Sequence, residues 1–250
     1  MKSAKKDKAS IRDAIDYDTS TLHPTLYAET LLRNYSAHFF RWSFARRAIT
    51  PNDDVLEIGC GADYPLLRIL TGGAYAKYNT YVGVDMHPLP HINRLNSSLI
   101  GEFNFVERWR ELQTDKYGYS RVIHFEVIEH MRVEFAREML RGCYELLSDD
   151  GEMYLSTPCY DGVRHAYNHV HEYTIPEMAA MLNDAGFEVT RRYGSFIDIR
   201  HIERSDDAAI KSVYKRLKEY FDNHALSCFF APIMPDNARD CLWVCKKRQE

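Results

Sequence analysis

Between Asp53 and Leu70 the chain reads DDVLEIGCGADYPLLRIL, an apolar run that collapses into two glycines and then resumes at helical spacing. A strand, a glycine turn and a helix in that order open a parallel sheet, because parallel neighbours need a crossover and a helix is its usual form. The alternation continues downstream. Val55 to Ile58, Tyr81 to Val84, Phe103 to Val106, Arg121 to Phe125, Met153 to Ser156, Phe187 to Arg192 and Leu242 to Cys245 are expected as strands. Helices are expected to start at Pro65 and to cover Val133 to Leu147, Ile175 to Ala185 and Ala208 to Phe221, with Ser148 to Gly151 stopping the second. The fold class is therefore α/β, a doubly wound sheet with helices on both faces.

With 250 residues, 45% of them hydrophobic, the chain can bury about three quarters of the surface it would expose unfolded. One domain over residues 21–250 is expected, behind a polar, flexible arm of residues 1–20. Residues 21–50 carry apolar and aromatic side chains at helical intervals and read as N-terminal helices. Residues 200–240 read as an insertion on the substrate side before the last strand. The net charge of -4 supplies no field to draw in a phosphate backbone, so nucleic acid is not favoured as a partner. The six cysteines form no CxxC pair and no zinc spacing, and read as reduced thiols. No long apolar run suggests a membrane partner, and a cytoplasmic protein is expected. The sequence leaves the oligomeric state open.

In an open parallel sheet, ligands bind beyond the carboxyl ends of the strands where the strand order reverses. Gly59 and Gly61 let the backbone turn sharply and let a ligand approach it closely, with Asp63 or Tyr64 capping the next helix and Pro65 in its first turn. A dinucleotide fingerprint needs a third glycine where Tyr64 stands, which counts against a nicotinamide cofactor.

VLEIGCG followed by YVGVD resembles the first two motifs of the class I S-adenosylmethionine (SAM) dependent methyltransferases. VIHFEVIEHM from Val122, LLSDDGEMYLSTP from Leu146 and HVHEYTIPEMAAMLNDAGFEV from His169 are similar to later motifs of its small-molecule branch, the ubiquinone and methyltransferase-11 type, in the same order. The resemblance runs over residues 50 to 195 and implies a Rossmann-like, seven-stranded sheet, mostly parallel with an antiparallel last strand. It also implies SAM as cofactor, with Glu57 ordering the loop of Gly59, Cys60, Gly61 and Asp63, and Asp85, followed by Met86, receiving the ribose hydroxyls. The carbonyls of Gly59 and Phe125 would face the cofactor's ammonium group, beside Glu126. The chain departs from the family at Asp63, often glycine, and after the third strand, where an aspartate usually meets the adenine. Trp109 there is either an adenine-stacking ring or a core residue.

The implied reaction is transfer of a methyl group to oxygen or nitrogen of a small molecule or an exposed modified group. His130, His165, His169 and His171 are the candidate bases, since histidine titrates near neutrality. If the loop of His169 and His171 is extended, alternation puts both rings on one side. A metal there would need a third ligand that the sequence does not locate, so none is assigned. Cys159 follows the fifth strand, not the fourth as in cytosine-C5 enzymes, and the Asn-Pro-Pro-Tyr type of loop is absent. Tyr27, Tyr35, His38 and Phe39, with the insertion, are candidates for acceptor contacts. The alternatives are a degenerate SAM-binding regulatory subunit, a nucleic-acid-modifying methyltransferase, and an NAD-dependent oxidoreductase.

Overall fold

A computed structural model describes residues 37–249, apart from 73–75, 93–95, 115–117, 161, 163–165 and 167. The arm, Tyr27, Tyr35 and His165 thus lie outside the described residues. Seven strands form one sheet: β1 (Asp54–Ile58), β2 (Thr80–Val84), β3 (Ser97–Ile100), β4 (Tyr119–Phe125), β5 (Leu147–Pro158), β6 (Phe187–Ile197) and β7 (Ala238–Lys247). Their order is β3-β2-β1-β4-β5-β7-β6. The first five run parallel, and β7 is antiparallel to both its neighbours. The chain moves outward from β1 to β3 and returns to β4 beside β1, so the strand order reverses between β1 and β4.

Adjacent residues of the central strands serve opposite faces. Val55, Ile123, Tyr154 and Leu242 pack with α1 (37–48) and α2 (Pro65–Thr71), whereas Leu56, Val122, Met153 and Trp243 pack with the helices on the other side. There α3 is Phe105–Arg108, α4 Val133–Leu146 and α5 Ile175–Asp184. In α4, Ala136, Met139, Leu140, Cys143 and Leu146 make the buried stripe. A capping box starts α5: the Thr174 side chain accepts from the Glu177 N–H, and the Glu177 carboxylate accepts from that of Thr174. Among the described residues, no helix is long and apolar enough to cross a membrane.

The third strand is not Phe103 to Val106. Glu102 turns at a φ of 52°, and Asn104 then leads into α3. Phe103 and Phe105 are both buried, which imitates strand alternation. The true β3, SSLI, is a half-exposed edge strand, so burial marks it weakly. α4 stops at Leu146, and Ser148 to Gly151 bulge from β5, whose register on β4 jumps from Tyr119↔Leu147 to Arg121↔Glu152.

The insertion between β6 and β7 holds α6 (Ile199–Glu203), α7 (Ala208–Leu217) and α8 (Asn223–Phe230). Asp198, Asp207 and Asp222 cap them, each accepting from a first-turn N–H. Ile197, Ile202, Tyr214, Leu226, Phe230 and Ala231 form a small core of their own. Because β6 runs parallel to β5, this insertion rises from the carboxyl edge of the sheet.

His124 in β4 is fully buried, and neither ring nitrogen has a partner. Burial lowers its pKa from 6.5 to about 3, so the ring is neutral in the fold. Between those values the unfolded chain binds the extra proton, and stability falls with pH. Relative to His124→Leu, the native protein should lose about 1.4 kcal/mol per pH unit below about 6.5. Urea midpoints measured from pH 7 to 5 would show the two proteins diverging, and parallel curves would refute a buried neutral ring.

Candidate active site

The two glycines of the first turn do different work. Both have positive φ, 71° at Gly59 and 73° at Gly61. A Cβ on Gly59 would lie 2.4 Å from Val127 Cγ2, whereas one on Gly61 would meet nothing within 4 Å. Gly59 is glycine because the β4 turn packs onto it, and Gly61 leaves room for a ligand. The Gly59 and Cys60 N–H groups donate to the Val84 carbonyl at 2.8 and 3.3 Å, and that of Gly61 donates to Asp85 Oδ2 at 2.8 Å. Cys60 is buried, and burial pushes its thiol up. Tyr64, not Asp63, stands at the N-cap of α2; its φ is 38° and its side chain caps nothing, while Asp63 is exposed.

The Asp85 carboxylate ties two turns, since its Oδ1 accepts from the His87 N–H at 2.9 Å. Each oxygen has one further lone pair for a ligand hydroxyl. Met86 beside it is exposed. Glu57 is buried and takes the Tyr81 hydroxyl, so the loop is ordered by Asp85 and the Val84 carbonyl instead of by Glu57. Burial, opposed by that hydroxyl and assisted by Asp85, raises Glu57 to about 8. These features fit SAM: an uncovered glycine backbone on one side and a carboxylate with spare acceptor capacity on the other.

Beyond β4 the backbone reverses at Glu126, whose φ is 57° and whose N–H donates to the Ser156 carbonyl at 3.0 Å. Phe125 before it is buried. The Glu126 carboxylate accepts from the Ser156 hydroxyl at 2.8 Å and pairs with Arg41 at 2.8 Å. Both contacts are made by Oε1. Arg41 is 1% exposed and also meets Asp240 at 2.9 Å. Burial holds Glu126 up to about 7, with Arg41 opposing and Asp240 adding to the rise. His38 accepts from Arg41 at 2.9 Å; burial, then the guanidinium, lowers its pKa to about 3. That ring is spent on Arg41, whereas Phe39 is exposed.

Glu129, His130 and His169 converge, with one candidate ligand atom from each lying within 4.8 Å of the others. His130 Nδ1 faces the Asn168 carbonyl at 3.1 Å, and His169 Nδ1 faces Glu172 Oε1 at 2.6 Å. A carbonyl and a carboxylate only accept, so both Nδ1 atoms donate, and in a neutral ring Nε2 is then the nitrogen that keeps a lone pair. Burial, with the neighbouring His169, lowers the His130 pKa, and the Asn168 carbonyl opposes the change. His171 stands apart. The Val170 and His171 N–H groups both donate to the Glu129 carbonyl, at 2.8 and 3.1 Å, whereas successive N–H groups of an extended chain point opposite ways. The loop therefore turns, and His171 packs against Tyr173 at 4.5 Å between ring centroids. Trp109 is a core residue: it lies under Gly142, donates to Glu138 at 3.0 Å and is covered by Arg110.

Arg41, Glu129 and Glu102 were not among the residues singled out from sequence. Arg41 sits in the buried stripe of α1, Ala37, Arg41 and Ala45, which Ile49 continues just past its end, and a charge in such a stripe is the signal that marks it. Glu102 follows the true β3, with its N–H on the His87 carbonyl at 3.0 Å.

The profile of the methyltransferase domain family matches residues 27–192. Sphingolipid C9-methyltransferase 2 of Gibberella zeae is 22% identical over 190 residues, 70% of this chain; the chain spans only 35% of that protein's length. A chain in the complex of the Haloferax volcanii Trm112 methyltransferase activator with a methyltransferase aligns over 96% of this chain and 98% of its own, with 15% identity and a TM-score of 0.57. The Burkholderia thailandensis 1,6-didemethyltoxoflavin-N1-methyltransferase, solved with S-adenosylhomocysteine, aligns over 93% of each chain, with 15% identity and a TM-score of 0.54. With its glycine turn at the strand switch point and a profile match over most of its length, the chain belongs to the methyltransferase domain family of class I SAM-dependent enzymes.

Proposed function

We propose that this protein transfers a methyl group from SAM to an oxygen or nitrogen atom of a small molecule or of an exposed modified group. When bound, the cofactor supplies a methyl group made electrophilic by a sulfonium. The chain's own residues do the rest. Asp85 offers two acceptor sites to the ribose hydroxyls, and Gly61 admits the cofactor against the backbone. Met86 and Glu102 flank the adenine position, Glu102 in the role of the acidic residue that usually follows the third strand of the family.

One observation carries the reading: Val127 packs on Gly59, which sets the turn bearing Glu129 and His130 directly beside the cofactor loop. His169 joins them from the loop after β5. Two imidazoles with unused Nε2 lone pairs suit an acceptor that arrives carrying a proton on oxygen or nitrogen. Holding that acceptor in line is where most of the rate would come from. The insertion, rising from the same edge, forms the acceptor-side wall.

Cofactor binding gives the first test. SAM at a hundredfold excess over its dissociation constant should stabilise the fold by about 2.7 kcal/mol. Asp85→Ala should weaken SAM by about 1 to 3 kcal/mol, since the ribose hydroxyls lose a charged acceptor. Calorimetry showing unchanged affinity in a folded variant would reduce Asp85 to a turn former. The acceptor is sought by incubating the protein with SAM labelled in the methyl group and an extract of its own cells. Label in a small-molecule or modified-group fraction supports the proposal, and tight SAM binding without any labelled product favours a regulatory subunit.

A further inference from the structure

We propose that Glu129, His130 and His169 bind a divalent cation of the Mn²⁺, Fe²⁺, Co²⁺ or Zn²⁺ type at the acceptor end of the site. The inference rests on the reading above only for the role of the ion, not for its binding. Glu129 is fully buried. Its Oε2 takes the Thr157 hydroxyl at 3.1 Å, whereas its Oε1 has no hydrogen-bond partner and lies 3.8 Å from His130 Nε2. A buried carboxylate oxygen without a donor is costly, and a proton or a cation against it relieves that cost.

The neighbourhood does not supply that charge. Arg41 pairs directly with Glu126 and Asp240 and is felt by Glu129 only through space, so three carboxylates, Glu126, Glu129 and Asp240, share one guanidinium. The two imidazoles are arranged as metal ligands are. Each donates Nδ1–H to a fixed acceptor, a backbone carbonyl for His130 and a carboxylate for His169, which leaves Nε2 to coordinate. Glu172 is itself held by the Ala166 N–H at 2.7 Å. The Glu129 carbonyl, gripped by the Val170 and His171 N–H groups, pins the His169 loop to the Glu129 turn. The site is therefore built before any ion arrives, and small side-chain rotations bring the ligand atoms to coordination distance.

Two imidazoles and one carboxylate select first-row transition ions and Zn²⁺ over Ca²⁺ or Mg²⁺. With the ion bound, the two Nε2 lone pairs serve as ligands in place of bases; three protein ligands leave coordination positions open, and an acceptor hydroxyl in one of them would have its pKa lowered by the ion itself. The acceptor class thereby narrows to an alcohol or phenol.

The test uses tag-free, full-length protein stripped with a chelator. Titration with Co²⁺, followed by calorimetry and by visible d–d absorption, should show one ion per chain. Glu172→Gln should weaken it about 10- to 100-fold, and Glu129→Gln and His169→Gln at least as much. SAM affinity, measured on the same samples, reports folding and cofactor binding independently. Wild-type protein that binds SAM but no Co²⁺, or variants that bind Co²⁺ like the wild type, would overturn the cation site and leave the methyl-transfer reading standing. Saturable Co²⁺ binding, lost in the variants, without SAM binding would support the cation site while the methyl-transfer reading fails.

Discussion

Replacing His169 with glutamine should lower methyl-transfer turnover by about two to four orders of magnitude while SAM binds as before. On the proposed function the ring lies on the acceptor side; it meets His130 at 5.1 Å between centroids and Glu172 at 2.6 Å, and no contact ties it to the loop of Gly59 and Gly61 among those described. Glutamine keeps a polar group there but offers neither an imidazole proton acceptor nor the Nε2 ligand. His171→Gln is the matched control, two residues away and packed on Tyr173, and its turnover should stay near that of the wild type. Single-turnover rates, set beside SAM affinities from calorimetry, separate the outcomes. Equal losses in both variants would mean that the loop acts only as a structural unit, and no loss in either would leave positioning by other residues as the source of rate.

Arg41→Met should destabilise the fold by about 3 to 5 kcal/mol, because removing one partner of a buried ion pair strands the others. Methionine fills the length of the arginine stem, so packing loss is minor and the deficit is electrostatic. Glu126 and Asp240 would then face each other in low dielectric without a cation. Glu126, already held up to about 7, would take a proton more readily still, so the deficit should shrink as pH falls from 8 to 5. Denaturant unfolding across that range measures both the size and the sign. A loss under about 1 kcal/mol would show that the guanidinium is effectively solvent-screened.

Much of this architecture is legible because buried parallel strands advertise themselves. β1 buries Val55, Leu56 and Ile58 on alternate faces, and the glycines and Pro65 that follow leave little freedom for the connection. β3 was illegible because an edge strand has little buried surface, while two phenylalanines on either side of Asn104 copied the strand period inside a turn and a short helix. The cofactor loop could be read at the level of which residues surround it, since those are contiguous in sequence. The acceptor end could not. Glu129, His169 and Arg41 come from three separate segments, and only the packing of Val127 on Gly59 and the bifurcated Glu129 carbonyl bring them together. Local periodicity also misplaced His171, because it assumed an extended loop where one carbonyl draws in two successive N–H groups.

The apolar cluster of the insertion should give the molecule two levels of cooperativity. Ile202, Tyr214, Leu226 and Phe230 cluster on Ile197 at the end of β6, apart from the cores on the two faces of the sheet, and their three helices begin at aspartate caps of their own. Amides of residues 199–237 should therefore exchange with deuterium as one group, through an opening of lower free energy than that of β1, β4 and β5. On the proposed function, such a unit would let an acceptor enter and a methylated product leave without disturbing the strands that carry the cofactor loop. It would also localise evolutionary change: if the insertion walls the acceptor, substitutions that retune it should draw on the stability of the insertion and leave that of the central sheet intact.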